Sequence, residues 1–283
     1  MKLAAFAQFA ILAGVFICLG AFDAAPARAA GVDEMPPPPT QAELMSIRKV
    51  KKSDDGEVSA MPADIRNDAI KEAAMSYGAR GGLNWRTYFI RKEMETRARY
   101  LDKVFDFRQL LIAAPSGLLI EPPIISEAVD ATAIDQGGLE AAVADRVYNI
   151  GRNAKIVSTA RTWRAYLERQ WGNVSPPPDI LLPENKEEQA QWNTWFDEGW
   201  QAGVEQADEI FQADLNKLTS DYQGMVRYRS LLSQGMVSPP YALQVDRGVT
   251  GGGNAMRVGD RAVTITGLPA LQTGTQEWQP ANR

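Results

Sequence analysis

The strongest constraint on the fold lies between residues 184 and 234. There Trp192, Trp195, Phe196, Val204, Ala207, Ile210, Phe211, Leu215, Leu218, Tyr222, Met225 and Leu232 recur in steps of three and four. That is the period of an α-helix with one buried face, and a helix this long becomes the body on which other elements pack. Gly199, Gly203 and Gly224 fall inside it. A glycine weakens a helix interior by about 1 kcal/mol relative to alanine, so the segment is expected to form two helices or one kinked helix.

A second helical region starts near Asp64, a plausible N-cap, and continues through Ile65, Ala69, Ala73 and Tyr77. Gly78 with Gly81 and Gly82 is expected to end it, and Asn84 to cap a further helix bearing Trp85, Tyr88, Phe89, Thr96, Tyr100 and Val104. From Phe105 the period changes. The runs 110–112 and 118–120 read as short strands around Pro115-Ser116-Gly117. The alternation after Val143, followed by Gly151-Arg152-Asn153 and a second alternation over 154–158, predicts a hairpin. Residues 159–171 return to a helical pattern, and Pro176 to Pro178 with Pro183 enforce an extended crossing. At the C-terminus, 241–249 and 256–266 alternate around Gly251-Gly252-Gly253-Asn254, a second hairpin, with a tight turn expected at Gly259-Asp260. The fold class is α+β: a helix-rich single domain with short central strands and a C-terminal β-hairpin.

The ends carry different signals. Lys2, an uncharged apolar run from Leu3 to Phe22, and small residues at Ala27 and Ala29 read as a secretory signal cleaved after Ala29. The domain layout expected is a signal peptide over 1–29, a Pro-rich disordered leader over 30–60, the α+β domain over 61–270 and a disordered tail over 271–283. The expected location is the periplasm, on the periplasmic face of the outer membrane.

Composition narrows the chemistry. The only cysteine is Cys18, inside the signal, and there is no histidine. Ser-His-Asp and Cys-His nucleophilic sites are excluded, as are histidine-bearing zinc sites. No catalytic, metal or cofactor site is expected. A net charge of −5 offers no basic footprint for direct nucleic-acid binding. Glu121, Glu127, Glu184, Glu187, Glu205 and Asp208 are carboxylates of the type that acid–base chemistry would need, but those in the long helix read as a solvated face. Ser46-Ile47-Arg48-Lys49 spells S-x-x-K without a K-T-G partner, and the 248–253 glycine run lacks a P-loop lysine. Five of the seven tryptophans lie between 163 and 200, so an aromatic face is either core or a protein-binding surface. The partner-interface candidates are Trp163, Tyr166 and Trp171 on the 163–171 helix, Asp246, Arg247 and Asn254 on the C-terminal loop, and the Pro-rich leader. The rival classes are an envelope hydrolase working through carboxylates and a periplasmic small-molecule binder.

Wording along the chain carries a resemblance. Leu101-Asp102-Lys103-Val104-Phe105-Asp106-Phe107-Arg108 is followed by Ala114-Pro115-Ser116-Gly117-Leu118-Leu119-Ile120-Glu121-Pro122-Pro123 and by Arg161-Thr162-Trp163-Arg164. Asp221-Tyr222-Gln223-Gly224-Met225-Val226-Arg227-Tyr228 and Val245-Asp246-Arg247-Gly248-Val249-Thr250-Gly251-Gly252-Gly253-Asn254 complete it. In order and number these segments resemble the DotC family of type IVB (Dot/Icm-like) secretion and conjugal transfer systems, over roughly residues 61–268. The resemblance implies a non-enzymatic outer-membrane core-complex component in a large ring-shaped hetero-oligomer. Its implied partners are DotD-like and DotH-like subunits, the latter placed at the outer membrane with its help. Family members are lipidated at a cysteine after the signal. Here Ile17 precedes Cys18 where a lipobox has a small residue, so cleavage at Ala29 would leave a soluble chain held by its partners.

Overall fold

A computed structural model describes residues 36–47, 63–134 and 141–278. The signal, with Ala27, Ala29 and Cys18, lies outside the described residues. The long periodic segment is one unbroken helix, Lys186–Ser233 (α5), started by Asn185, whose side chain accepts from the Glu188 amide. The short helices Gln41–Met45 (α1), Ala98–Val104 (α3) and Arg164–Leu167 (α4), and the long Ala63–Thr96 (α2), complete the helical set. At 1.5 Å per residue, α5 is about 72 Å long and α2 about 51 Å.

Neither long helix breaks at its glycines: α2 runs on through Gly78, Gly81 and Gly82, where an end was expected, and α5 is one helix, not two. The reason is close packing. A Cβ on Gly199 would run into the Met75 carbonyl, and one on Gly203 into that of Ala79. The reciprocal holds for Gly78 against the Phe196 carbonyl and Gly82 against that of Trp200. Each helix thus presents a glycine pair four residues apart, one turn, to the other's backbone. The pairing is parallel and keeps one register: Arg66 meets Glu188 at 3.3 Å and Arg86 meets Asp208 at 2.7 Å. Close packing of the two backbones offsets the glycine cost, which an isolated propensity argument does not see. Gly224, the third expected break, is where Ile124 and Ile125 lie against α5.

Parallel helices need a long return connection, and residues 97–185 supply it. They carry Ile112–Ala113 (β1), Leu119–Glu121 (β2), Ile124–Ile134 (β3), Ala141–Arg152 (β4) and Lys155–Val157 (β5). β1, β2 and β5 form a small antiparallel sheet in the order β1-β2-β5, while β3 and β4 form a separate two-stranded ribbon. The hairpin expected around 151–153 is therefore not formed. Its first arm turns back onto β3, with Ala128 opposite Val147, and its second pairs with β2, Ile156 opposite Ile120. The helix expected over 159–171 shrinks to the single turn of α4. C-terminally, Tyr241–Gly252 (β6) and Ala255–Gly267 (β7) form the expected hairpin. Gly259 is no turn. Its register shift faces another at Gly248, both at positive φ (+71° and +67°), a conformation glycine adopts without steric cost.

Three buried clusters lie along α5. The first joins Ile70, Ala74 and Tyr77 of α2 to Trp192, Phe196 and Trp200, the second gathers Phe107, Trp163, Leu167, Leu218 and Met225, and the third holds Ile125, Tyr228, Leu231 and Val237. Part of the expected disordered leader belongs to the first. Thr40 and Glu43 cap α1 reciprocally, and Leu44 is buried there, its Cδ1 beside Gly81. A capping box with one apolar anchor is enough to seat a short helix. The start of the expected tail is likewise tied down: the Gln272 amide donates to the Met236 carbonyl and Trp278 Nε1 to that of Gln272, each across about 3 Å. The described residues form one α+β domain.

Candidate functional site

Two features stand out: a charged junction inside the domain and a ribbon that leaves it. The junction centres on Arg161, in the segment between β5 and α4. Its Nε and Nη2 donate to Glu121 at 2.8 and 2.5 Å, and its Nη1 donates to the Tyr166 hydroxyl at 2.8 Å and to Asp221 at 3.4 Å. Tyr166 donates to Asp221 at 2.7 Å, and Arg152 is ion-paired to Asp221. Glu121 and Asp221 are 4 and 5 % exposed. Burial works against the Arg161 cation, but Tyr166 and Glu121 more than offset it and hold its pKa above the usual arginine value. Burial first, then the bond to Asp221, pushes the Tyr166 phenol up to about 12. Each acid is matched by a guanidinium, which locks β2, the α4 turn and α5 together.

A second network ties β3 to α5. Glu127 accepts from Arg227 at 2.9 Å, Tyr148 at 3.2 Å and Arg146 at 3.3 Å. The Arg227 and Tyr148 hydrogen bonds outweigh desolvation and hold this carboxyl below the usual range. Among the other carboxylates singled out, Glu184 lies 3.5 Å from Arg66, Asp208 pairs with Arg86, and Glu187 and Glu205 are exposed on α5. Among the described residues no group of three or more His, Cys, Asp or Glu is placed to hold a metal ion, and no helix is long and apolar enough to cross a membrane.

The structure separates the interface candidates. Trp163 is 1 % exposed, with Nε1 donating to Asp102 at 2.7 Å and Arg164 stacked at 4.3 Å, so it is core. Tyr166 is half-buried in the charged junction. Trp171 is half-buried, edge-on to Tyr88 at 5.1 Å. Asp246, Arg247 and Asn254 are exposed together on the β6–β7 ribbon, Asn254 in its tip turn and Asp246 accepting from the Gly248 amide.

The ribbon meets the rest of the domain through β5 and the 3₁₀ turn Pro115–Gly117, and the segments flanking its base are tied together by the Ser238 amide donating to the Ala270 carbonyl and by the Val237–Leu271 bridge. Beyond that it exposes Leu243, Val245, Val249, Met256 and Val258, the last three by 63 to 74 %. The β3–β4 ribbon similarly exposes Val129, Val143 and Val147. A two-stranded ribbon leaves backbone donors and acceptors on both edges, and clustered exposed apolar side chains mark interaction surfaces. The residues expected from the sequence include Asn254 at the tip and Asp246 and Arg247 within β6 but not these apolar rows, because alternation alone does not tell which face a second layer covers.

The family model described as "Type IV secretory system, conjugal DNA-protein transfer" matches residues 64–280. No curated protein matches the chain. The match runs from the start of α2 past the end of β7 and so includes the helix pair, both ribbons and the charged junction. The chain belongs to this type IV secretory system family of conjugal DNA-protein transfer.

Proposed function

We propose that the protein is a structural, non-enzymatic subunit of the type IV apparatus, of the DotC kind, positioned on the periplasmic face of the outer membrane. In this reading the parallel helix pair is the rigid body and the ribbons are the arms that engage neighbouring subunits, DotD-like and DotH-like among them. The observation that carries the reading is the β6–β7 ribbon: twelve and thirteen residues long, rooted at one end, with apolar side chains outside. A two-stranded ribbon is marginal alone in water, so an evolved one with exposed apolar rows suits a surface that is completed on assembly. The matched arginines around Glu121 and Asp221 further support a structural role, because these bonds hold β2, the α4 turn and α5 together.

The test is detergent extraction of the tagged protein from its native envelope, followed by mass spectrometry of the intact components. Recovery in a large particle with DotD-like and DotH-like subunits is expected, and the intact mass reads whether the mature chain starts at Ala30 or at an acylated Cys18. A free monomer without partners would refute the assembly role.

A further inference from the structure

The half-buried arginines of this domain are matched by acids. Arg66, Arg161, Arg164 and Arg227 each lie within 3.3 Å of at least one carboxylate. Arg91 is the exception. It sits on α2, is 8 % exposed, and its buried Nε has no hydrogen-bond partner. Its guanidinium carbon lies 5.7 Å from the centre of the Trp171 ring, and it forms no ion pair among the described residues. Stacking on a ring uses the face of the guanidinium and leaves its in-plane N–H donors free.

Arg91 is one of the residues that line a pocket of about 160 Å³ between α2, α5 and the segment that follows α4. Asn84, Thr87 and Gln170 add polar groups to its wall, and Ile90, Leu167, Ile210 and Phe211 add apolar ones. Its one acid, Asp214, is held by Arg169 through two bonds of 2.6 and 3.0 Å, which leaves Arg91 as the uncompensated charge. We propose that this pocket binds a carboxylate carried on a short apolar stem. The guanidinium fork matches a planar carboxylate in bidentate fashion, and the apolar wall suits the stem. The volume, at about 30 Å³ per water-sized group, admits a few heavy atoms and excludes a large ligand. A dianion such as phosphate is disfavoured by one free cation beside Asp214. The carboxylate is either a free small acid or an Asp or Glu side chain of a neighbouring subunit. The proposal does not rest on the assembly reading, since its first test uses the purified chain.

The experiment is thermal unfolding of the purified protein and of Arg91→Met and Arg91→Lys, in increasing sodium acetate against sodium chloride at equal ionic strength. Acetate is expected to raise the wild-type Tm by about 2–4 °C in a saturable way, to do less for Arg91→Lys and nothing for Arg91→Met. In chloride, Arg91→Met is expected to be no less stable than wild type, because an unmatched buried charge has been removed. Equal responses to acetate and chloride, or an acetate response that survives in Arg91→Met, would overturn the proposal. If Arg91→Met does not fold, Arg91→Lys decides: a response equal to wild type overturns it. Hydrogen exchange at Thr87 and Gln170 in the native particle then separates the two sources. Protection that still grows with acetate indicates a free acid, and protection already complete indicates a neighbour's side chain.

Discussion

The helix pair and the β6–β7 ribbon both carry closely spaced glycines, and they use them in opposite ways. In the helix pair, Gly78, Gly82, Gly199 and Gly203 hold ordinary helical backbone and matter for the side chain they lack, since each admits the neighbouring helix's carbonyl. In the ribbon, Gly248 and Gly259 stand in open space and matter for the backbone they allow. The first use buries surface and makes a rigid body. The second bends a strand pair that has little to pack on. One residue type therefore marks the least and the most accessible parts of the domain, and the neighbours, not the glycine, decide which.

The largest expected effect tests the rigid side. Arg161→Met leaves Glu121 buried with its main partner gone and removes one of the donors to Asp221, which keeps Arg152 and Tyr166, and is expected to cost about 3–5 kcal/mol in chemical denaturation. A cost under about 1 kcal/mol would mean that the junction does not hold the domain together. Next is a glycine contrast. Gly203→Ala forces a Cβ into the Ala79 carbonyl and is expected to destabilise by about 3 kcal/mol. Gly252→Ala, with nothing within 4 Å, is expected to stay within about 0.5 kcal/mol. Equal effects at the two sites would erase the comparison.

A tyrosine pair gives a smaller effect. The buried Tyr228 hydroxyl has no partner, so Tyr228→Phe is expected to be neutral or slightly stabilising, whereas Tyr166→Phe loses two hydrogen bonds and is expected to cost about 1–3 kcal/mol. Both phenols are pushed up to about 12 from 10, by burial in each case and also by Asp221 at Tyr166. The folded state therefore keeps protons that the unfolded state releases. The stabilisation is whole below pH 10 and is lost as pH rises from 10 to about 12. Absorbance titration is expected to show three tyrosines that ionise late, Tyr77, Tyr166 and Tyr228, all raised by burial, with Tyr166→Phe and Tyr228→Phe each removing one. The smallest stability effect is expected on the ribbon. Leu243→Ser with Val258→Ser should shift the folding free energy by no more than about 0.5 kcal/mol.

The same contrast explains what the sequence made legible. The two helical stripes, the α+β class and the C-terminal hairpin were readable because apolar period is a local signal. The continuity of α2 and α5 was not, because the compensation for each glycine comes from a chain segment about 120 residues away, as the Arg66–Glu188 and Arg86–Asp208 pairs indicate. Strand partners failed for the same reason: β4 alternates as a hairpin arm should, yet its partner precedes it. Of the interface residues, Asp246, Arg247 and Asn254 reach the surface, while Trp163, chosen for being aromatic, lies in the core. The charged junction had no sequence signal, since Glu121, Arg161 and Asp221 meet only through the topology.

The central claim is that the ribbon serves assembly and not folding. Its most direct measurement compares the wild type with a chain in which Leu243, Val245, Val249 and Val258 are all serine, each tagged and extracted from the native envelope, with circular dichroism and Tm measured alongside the size and composition of the recovered particle. The account predicts a variant that keeps the wild-type helix signal and a Tm within a few degrees but is recovered free of the large particle. A variant that assembles as the wild type does, with the same partners in the same amounts, would contradict it.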